Sequence, residues 1–446
     1  MAQNLKAPTT EDLMSMWNAS GLKKKIIFSL LMIAVWRFGV QLPLYGINNQ
    51  VFSNIATGNN IIGFLDMFTG GALGKVSILA LGIGPFITSS IIVQLVSVVI
   101  PSLEKLQKEE GEEGRRKLSQ YTRIFTVVLA IFQAFIFMLF LHHLPGAVMP
   151  NVSPVMFYIS SVCILTAGAV LVMWISELIT ENGIGNGGSL IIFSGILSGI
   201  PVYISRTYQL VKSSPQMQLA LVVLLSIFLA ATVLIVVMQE AVRKVIIVNP
   251  KRQIGNKVYG GMNSFIPFKL NPGGVMPIIF AIAILLFPST VLAMVGQANF
   301  KSGALKSFFI NMNHILSPDG ITYYLLYVGL IIALTFFYAS IMPNMQPKDI
   351  ADNLKKYGSS IPGVKPGKPT ADALDKILSK ITFIGAIGLG IIALVPSFGS
   401  YVTHIETFQG IGATSLIIMV GVALDLINQV RSHLLARNYE SFLKED

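Results

Sequence analysis

The chain has 446 residues, 53% hydrophobic and only 12% charged, with a net charge of +11 and a mean hydropathy of +0.69. Soluble domains carry about twice that charged fraction, so composition excludes a soluble globular protein and indicates a polytopic membrane protein. The single cysteine, Cys163, excludes an internal disulfide and reads as a small apolar residue within a span.

Residues 1–25 are polar and end in Lys23-Lys24-Lys25, with the pattern of neither a cleavable signal nor a transit peptide. Ten apolar runs follow, at 26–42, 76–100, 124–141, 155–176, 189–205, 219–238, 274–295, 321–342, 381–396 and 411–430. A bilayer core of ~30 Å takes roughly 20 apolar residues as a helix, so these are ten expected spans of an all-α protein. With residues 1–25 inside, 26 of the 32 lysines and arginines fall on one side. That bias marks the cytoplasm and places both termini there, with 433–446 as a cytoplasmic tail. An external segment at 206–218 separates five spans (26–205) from five more (219–432). An odd number of spans per half makes the halves inverted relative to each other.

Between the first two runs lies IIGFLDMFTGGALGK, residues 61–75, too short and too glycine-rich to span. Such a segment at membrane depth must be buried in protein or line a cavity, so it reads as a short re-entrant helix, a stopper beside a conduit. The second run contains ALGIGPFITSSIIVQL (80–95), whose Pro85, Thr88 and Gln94 gain nothing from lipid. Gly82, Gly84 and Ser90 fit close helix packing. Ile83 and Ile87 lie one turn apart on one side. A polar set and a branched apolar set on one span suggest a conduit wall and a helix–helix seam. Gln94 has no role in this reading. Arg37 and Asp425 are the two charges within the runs; they should lie at opposite depths, unpaired, each snorkelling or locally hydrogen-bonded.

Two long basic loops, 239–273 and 343–380, are expected in the cytosol. The alternation of apolar and basic residues over 243–259 reads as a projecting hairpin, and both loops read as docking surfaces. Other motifs carry no chemistry. GIGNGG (183–188) lacks a strand before it and reads as a tight turn rather than a dinucleotide loop. GGALGK (70–75) is one residue short of a phosphate loop and is followed by Val76 instead of a hydroxyl residue. His142-His143 is not a metal spacing. No nucleophile, base and orienting group share a face, so neither an enzyme nor a cofactor is expected. A secondary transporter would need charged or coordinating groups at the midplane. A receptor that only displays loops would leave the re-entrant segment unexplained.

The sequence resembles the SecY family, the central subunit of the Sec protein-conducting channel. The resemblance rests on FTGGALGKVSILALGIGPFITSSIIVQL (68–95), GRRKLSQYTR (114–123), ITENGIGNGGSLIIFSGI (179–196), LNPGGVMPIIFA (270–281), IADNLKKYGSSIPGVKPGKPTADALDKI (350–377) and GATSLIIMV (412–420). It implies ten helices in two inverted halves around an hourglass pore. The waist would be a ring of Ile83, Ile87, Ile192, Ile279 and Ile418, with Gly188 at a sixth position where an aliphatic residue is common. The plug would include Leu65, Phe68, Gly70, Gly71 and Gly74. A lateral gate would lie between spans 2 and 3 and spans 7 and 8, with Thr88, Gln133 and Asn271 at its polar positions. Docking of a ribosome or the SecA motor would involve Arg243, Lys244, Lys251, Arg252, Lys365, Pro366 and Gly367. Lys365 stands where the family typically has arginine, and an ammonium cannot copy a bidentate guanidinium. The resemblance also implies the small subunits SecE and SecG, signal-sequence-bearing polypeptides as cargo, and a bacterial plasma membrane.

Overall fold

The computed structural model describes residues 20–49, 52, 60–108, 111–144, 146–149, 153–213, 217–249, 251–254, 257–260, 263–295, 311–312, 315–316, 320–341, 346–403 and 413–442. Helix α1 (Ser20–Val40) is followed by the short α2 (Asn60–Phe68), then α3 (Gly84–Val99), α4 (Pro101–Lys108), α5 (Gly111–His143), α6 (Pro154–Asn182) and α7 (Gly187–Ser213). Next come α8 (Met217–Glu240) and the strands β1 (Val242–Val248), β2 (Lys251–Ile254), β3 (Lys257–Gly260) and β4 (Asn263–Lys269). The chain continues with α9 (Met276–Val295), α10 (Ile321–Ile341), α11 (Pro347–Tyr357), α12 (Lys368–Thr403) and α13 (Ala413–Phe442).

Seven of these helices, α5 to α8, α10, α12 and α13, are long and apolar enough to cross a bilayer. The apolar stretches Gly84–Val99 and Met276–Leu292 are shorter. Helix α1 is long enough but carries Lys23, Lys24, Lys25 and Arg37. Together the ten overlie the ten apolar runs. Several outrun them, because polar, helix-forming sequence continues the same helix into water. Helix α5 has 33 residues and opens on Glu112 and Glu113; α12 has 36 and opens at Lys368. Helix α7 runs on to Ser213, so most of the expected external segment 206–218 is helix; 214–216 lies outside the described residues.

The second run departs from expectation. It is helical only from Gly84, and residues 76–83 form turns. Pro85 sits in the first turn of α3, where its missing N–H costs nothing. Val76 (φ +42°) and Gly82 (φ +55°) bend the chain before it. The re-entrant helix is likewise shorter than 61–75, ending at Phe68. Residues 69–83 are therefore irregular backbone, tolerated at membrane depth only where protein surrounds it. Ala72, Val76 and Ser77 are fully buried. The backbone groups are paired: Ile78 N–H donates to Leu42 (3.0 Å), Leu44 N–H to Val76 (2.9 Å) and Ser77 N–H to Ala72 (2.9 Å).

The first five long helices pack in sequence, α3 on α5, α5 on α6, α6 on α7, with α1 against α6. In the second set α12 packs on α8, α10 and α13, and α9 on α10. The sets meet where α9 lies against α3 and α5, and where α13 lies against α7. A large buried aliphatic cluster runs through both sets.

Helix α6 admits the irregular segment only because it has glycine there. A Cβ on Gly168 would stand 2.0 Å from the Ile78 carbonyl oxygen. Gly168→Val should cost ~3 kcal/mol or prevent accumulation, whereas a Cβ on Gly329 of α10 meets nothing within 4 Å. Gly329→Ala should be neutral or stabilising by up to ~1 kcal/mol. Thermal unfolding of the two variants in the same detergent checks the contrast.

Candidate functional site: an aliphatic cluster and two cavities

Ile83 is the residue before α3, and its carbonyl accepts the Ile87 N–H at 3.1 Å. Ile192 lies on α7, Ile279 on α9 and Ile418 on α13. Ile83, Ile192, Ile279 and Ile418 are all buried members of the large cluster, at most 5% exposed, and Ile87 packs against it. Segments of both sets thus contribute isoleucines to one shared aliphatic cluster. Gly188 stands at its edge: a Cβ there would touch Ile83 Cδ1 at 3.5 Å. Glycine leaves that side open for the Ile83 side chain, and a larger residue would press on it.

Two cavities border this cluster. One, of about 140 Å³, is largely apolar and lies on the seam between α9 and the pair α3–α5. Ile83, Ile87, Ile192 and Ile279 line it, together with Leu65 and Phe68 from α2. The other, of about 230 Å³, is lined by Leu190, Val275 and Val422 from the cluster and by Asn186, Lys269, Asp425 and Gln429. Its lining mixes apolar and polar groups, and it adjoins the end of β4 at Lys269. Gln429 Oε1 accepts from the Gly185 N–H (2.8 Å), tying α13 to the α6–α7 turn. That turn is GIGNGG: Gly185 has φ +84°, and a Cβ on Gly187 would lie 1.9 Å from the Ser176 carbonyl. Its glycines serve a tight helix–helix turn.

The polar residues of α3 satisfy themselves within their own helix. Thr88 Oγ1 donates to Gly84 O (3.0 Å), Ser89 Oγ to Pro85 O (2.8 Å) and Gln94 Nε2 to Ser90 Oγ (3.2 Å). Such back-bonding lets hydroxyl residues sit in a buried helix. Thr88 and Gln133 line the apolar cavity. Asn271 does not; it is 1% exposed, its Nδ2 donates to Gly274 O (2.7 Å), and its Oδ1 has no partner. The structure brings together two of the three expected gate residues. Across the seam it adds Thr290 of α9, which the sequence reading passed over. The signal for Thr290 was a hydroxyl residue two positions after Pro288 in an apolar run.

After α2 the chain winds on itself. Gly70 (φ +68°) and Gly71 (φ +87°) allow the Gly70 N–H to bond Met67 O and the Gly71 N–H to bond Asp66 O, closing the helix end. Asp66 Oδ1 accepts the Gly74 N–H at 2.5 Å. Arg37 is not locally bonded, as expected from sequence, but reaches this knot from α1: its Nη1 donates to Gly70 O at 2.5 Å.

The two basic loops form one body. The hairpin is longer than the 243–259 expected, since β1 pairs antiparallel with β4, Val242 opposite Lys269 and Val248 opposite Asn263. Strands β2 and β3 continue the same register, Lys251 opposite Gly260. The return strand NSFIPFK was not recognised because Pro267 interrupts its alternation. Val248 also bridges to Ser360 of the second loop, with N–H to O distances of 2.9 and 3.0 Å, and Ser359 Oγ bonds Asn249 Oδ1 at 2.8 Å. Val245 and Phe268 of the hairpin share a small apolar core with Leu374 and Ile381 of α12. Arg243 and Lys244 are exposed on β1; Lys251 and Arg252 lie on β2, their side chains outside the described residues. Lys365 and Pro366 are exposed beyond α11, and Gly367 (φ +97°) turns the chain into α12.

A helical membrane protein whose two sets of helices share a buried aliphatic cluster bordered by two cavities is channel-like in class. The chain belongs to the SecY family, whose profile matches residues 77–427. The protein translocase subunit SecY of Synechocystis sp. is 42% identical over 445 residues, covering 99% of this chain and 98% of that one. Among solved structures, a protein-conducting channel superposes with a TM-score of 0.64 at 16% identity, covering 92% of each chain. Sec61 in the canine ribosome–channel complex from the endoplasmic reticulum gives 0.58 at 15% identity, also covering 92% of each.

Phe268, 1% exposed, is the plug of the small core that joins the two loops. Phe268→Ala should cost about 3–5 kcal/mol locally. Limited proteolysis should then cut within residues 243–269 or 358–367 much faster than in the parent, with helical content unchanged by circular dichroism.

Proposed function

We propose that this chain is the central subunit of a protein-conducting channel, passing unfolded polypeptides through the constriction formed by Ile83, Ile87, Ile192, Ile279 and Ile418. The observation that carries the reading is that Ile83, Ile192, Ile279 and Ile418, from both sets of helices, are buried in one aliphatic cluster, and that Ile83, Ile87, Ile192 and Ile279 line one cavity. A narrow aliphatic ring offers water and hydrated ions no hydrogen bond, so it closes by dewetting. An extended polypeptide can pass, because isoleucine makes no specific bonds that must break. Gly188 widens the ring on the Ile83 side.

Leu65, Phe68 and the knot at Gly70, Gly71 and Gly74 form the plug beneath the ring. The seam between α9 and the α3–α5 pair is the lateral gate, with Thr88, Gln133 and Thr290 facing its cavity and Asn271 fixing the turn into α9. A segment entering that seam partitions between channel and lipid. Leu, Ile, Phe and Val gain roughly 0.3–0.6 kcal/mol each, while Asp, Lys and Arg cost about 2.5–3.5 kcal/mol at mid-membrane. Sorting is then partition rather than catalysis. Both termini and the joined loops face the cytosol of a bacterial cell, the loops offering Arg243, Lys244, Lys251, Arg252 and the Lys365-Pro366-Gly367 turn to a ribosome or a motor ATPase. The small subunits SecE and SecG complete the channel.

The test is a stalled secretory precursor in the reconstituted complex, with photo-crosslinkers placed singly at Ile83, Ile192, Ile279 and Ile418. All four should reach the precursor, and a lipid-facing control at Ile159 should not. Labelling at one or two positions only would refute a shared passage. Thr88→Val with Gln133→Leu should strengthen the closed seam and demand more hydrophobic signal sequences, read as a shift in export between a strong and a weak signal; equal export of both signals by parent and variant would count against the gate.

A further inference from the structure

The Arg37 side chain bonds from α1 to the knot behind α2, and the proposed plug gives that bond a purpose. The knot is closed on itself. Its helix-end glycines bond back to Asp66 and Met67, Thr69 Oγ1 donates to Asp66 O (3.0 Å), the Leu73 N–H donates to Thr69 Oγ1 (3.2 Å), and the Asp66 carboxylate holds the Gly74 N–H. A segment so satisfied within itself moves as one body. The Gly70 carbonyl points out of it, and Arg37 Nη1 takes that oxygen.

The surroundings are fitted to this contact. Arg37 lies half-buried in the last turn of α1, its guanidinium 5.6 Å from the ring centroid of Trp36, which is buried. A Cβ on Gly70 would meet Trp36 Cη2 at 2.6 Å, Arg37 Nη1 at 2.9 Å and the Gly195 Cα of α7 at 3.1 Å. Gly70 is thus seated in a slot made by α1 and α7, with the guanidinium at its mouth. On the other flank, Ser415 Oγ of α13 contacts Met67 Sδ at 3.8 Å, a far weaker tie. The rigid fork of a guanidinium holds one geometry, so the bond persists until the carbonyl itself is moved.

We propose that Arg37 is a plug latch, a positioning residue that holds the resting channel closed by gripping the Gly70 carbonyl. The inference rests on reading α2 and its knot as the plug. Opening requires the knot to leave its slot and the Arg37 bond to break. A charged hydrogen bond of this kind sets the closed-to-open ratio by roughly 10-fold or more.

The test uses the full channel complex in proteoliposomes and measures resting anion flux without precursor, for the parent, Arg37→Gln, Arg37→Lys, a deletion of residues 60–68, and that deletion combined with Arg37→Gln. The latch predicts about 10-fold more flux for Arg37→Gln, an intermediate value for Arg37→Lys, and no added flux from Arg37→Gln once residues 60–68 are gone. In a Cys163→Ser background, Met67→Cys and Ser415→Cys joined by a short thiol crosslinker should restore the seal to Arg37→Gln. If deleting 60–68 leaves flux unchanged, the plug reading itself fails. If the deletion leaks while Arg37→Gln and Arg37→Lys stay tight, the latch alone is overturned. Added flux from Arg37→Gln in the deleted channel would assign the residue a general packing role and also overturn the latch.

Discussion

A polar group without a partner costs several kcal/mol in the middle of a bilayer, and this one constraint explains both what the molecule seals and how it is built. In the proposed collar of isoleucine the same rule keeps water out: water that enters must give up its own hydrogen bonds and finds none in return. Ile83, Ile192, Ile279 and Ile418 are nearly without solvent contact. They come from both sets of helices, so the proposed collar depends on the contact between the sets.

The constraint also dictates where irregular backbone can go. Residues 69–83 would be ruinous facing lipid. They lie instead against α6, through Gly168, and against the end of α1, where Ile78 and Leu44 exchange bonds with Leu42 and Val76. The knot behind α2 meets its own demand almost entirely, leaving one carbonyl for Arg37. A body that needs little from its neighbours suits the proposed plug. The two basic loops are held together by the Val248–Ser360 bridge and the Val245–Phe268–Leu374–Ile381 core. Residues 270–275 join β4 to α9, so the hairpin is linked along the chain to the helix at the proposed seam.

Much of this was legible in the sequence, and the reasons are physical. Apolar runs near 20 residues locate helices whatever the surrounding fold, so each of the ten runs coincides at least in part with a helix, the second only from Gly84 onward. Glycine density in 61–75 marked a segment that could not span. What the sequence concealed was pairing at a distance. Arg37 looked like a snorkelling charge because its acceptor lies 33 residues away and is a backbone carbonyl, which leaves no trace in side-chain patterns. Thr88 and Gln94 looked like residues in want of a partner, but α3 supplies it from within. Strand β4 was missed because Pro267 breaks its alternation, and the length of the hairpin was missed with it. Thr290 was hidden among apolar neighbours, since only the fold shows which face of α9 meets α3 and α5.

Ion flux past a precursor stalled in the channel tests the central claim most directly, because the proposed collar is then the barrier being measured. The measurement compares the parent complex with one carrying Ser in place of Ile83, Ile192 and Ile279. The account predicts a tight seal around the polypeptide in the parent and a clear leak of hydrated ions in the variant. Equal flux in the two would mean that some other part of the molecule excludes water, and the aliphatic collar would not be the barrier.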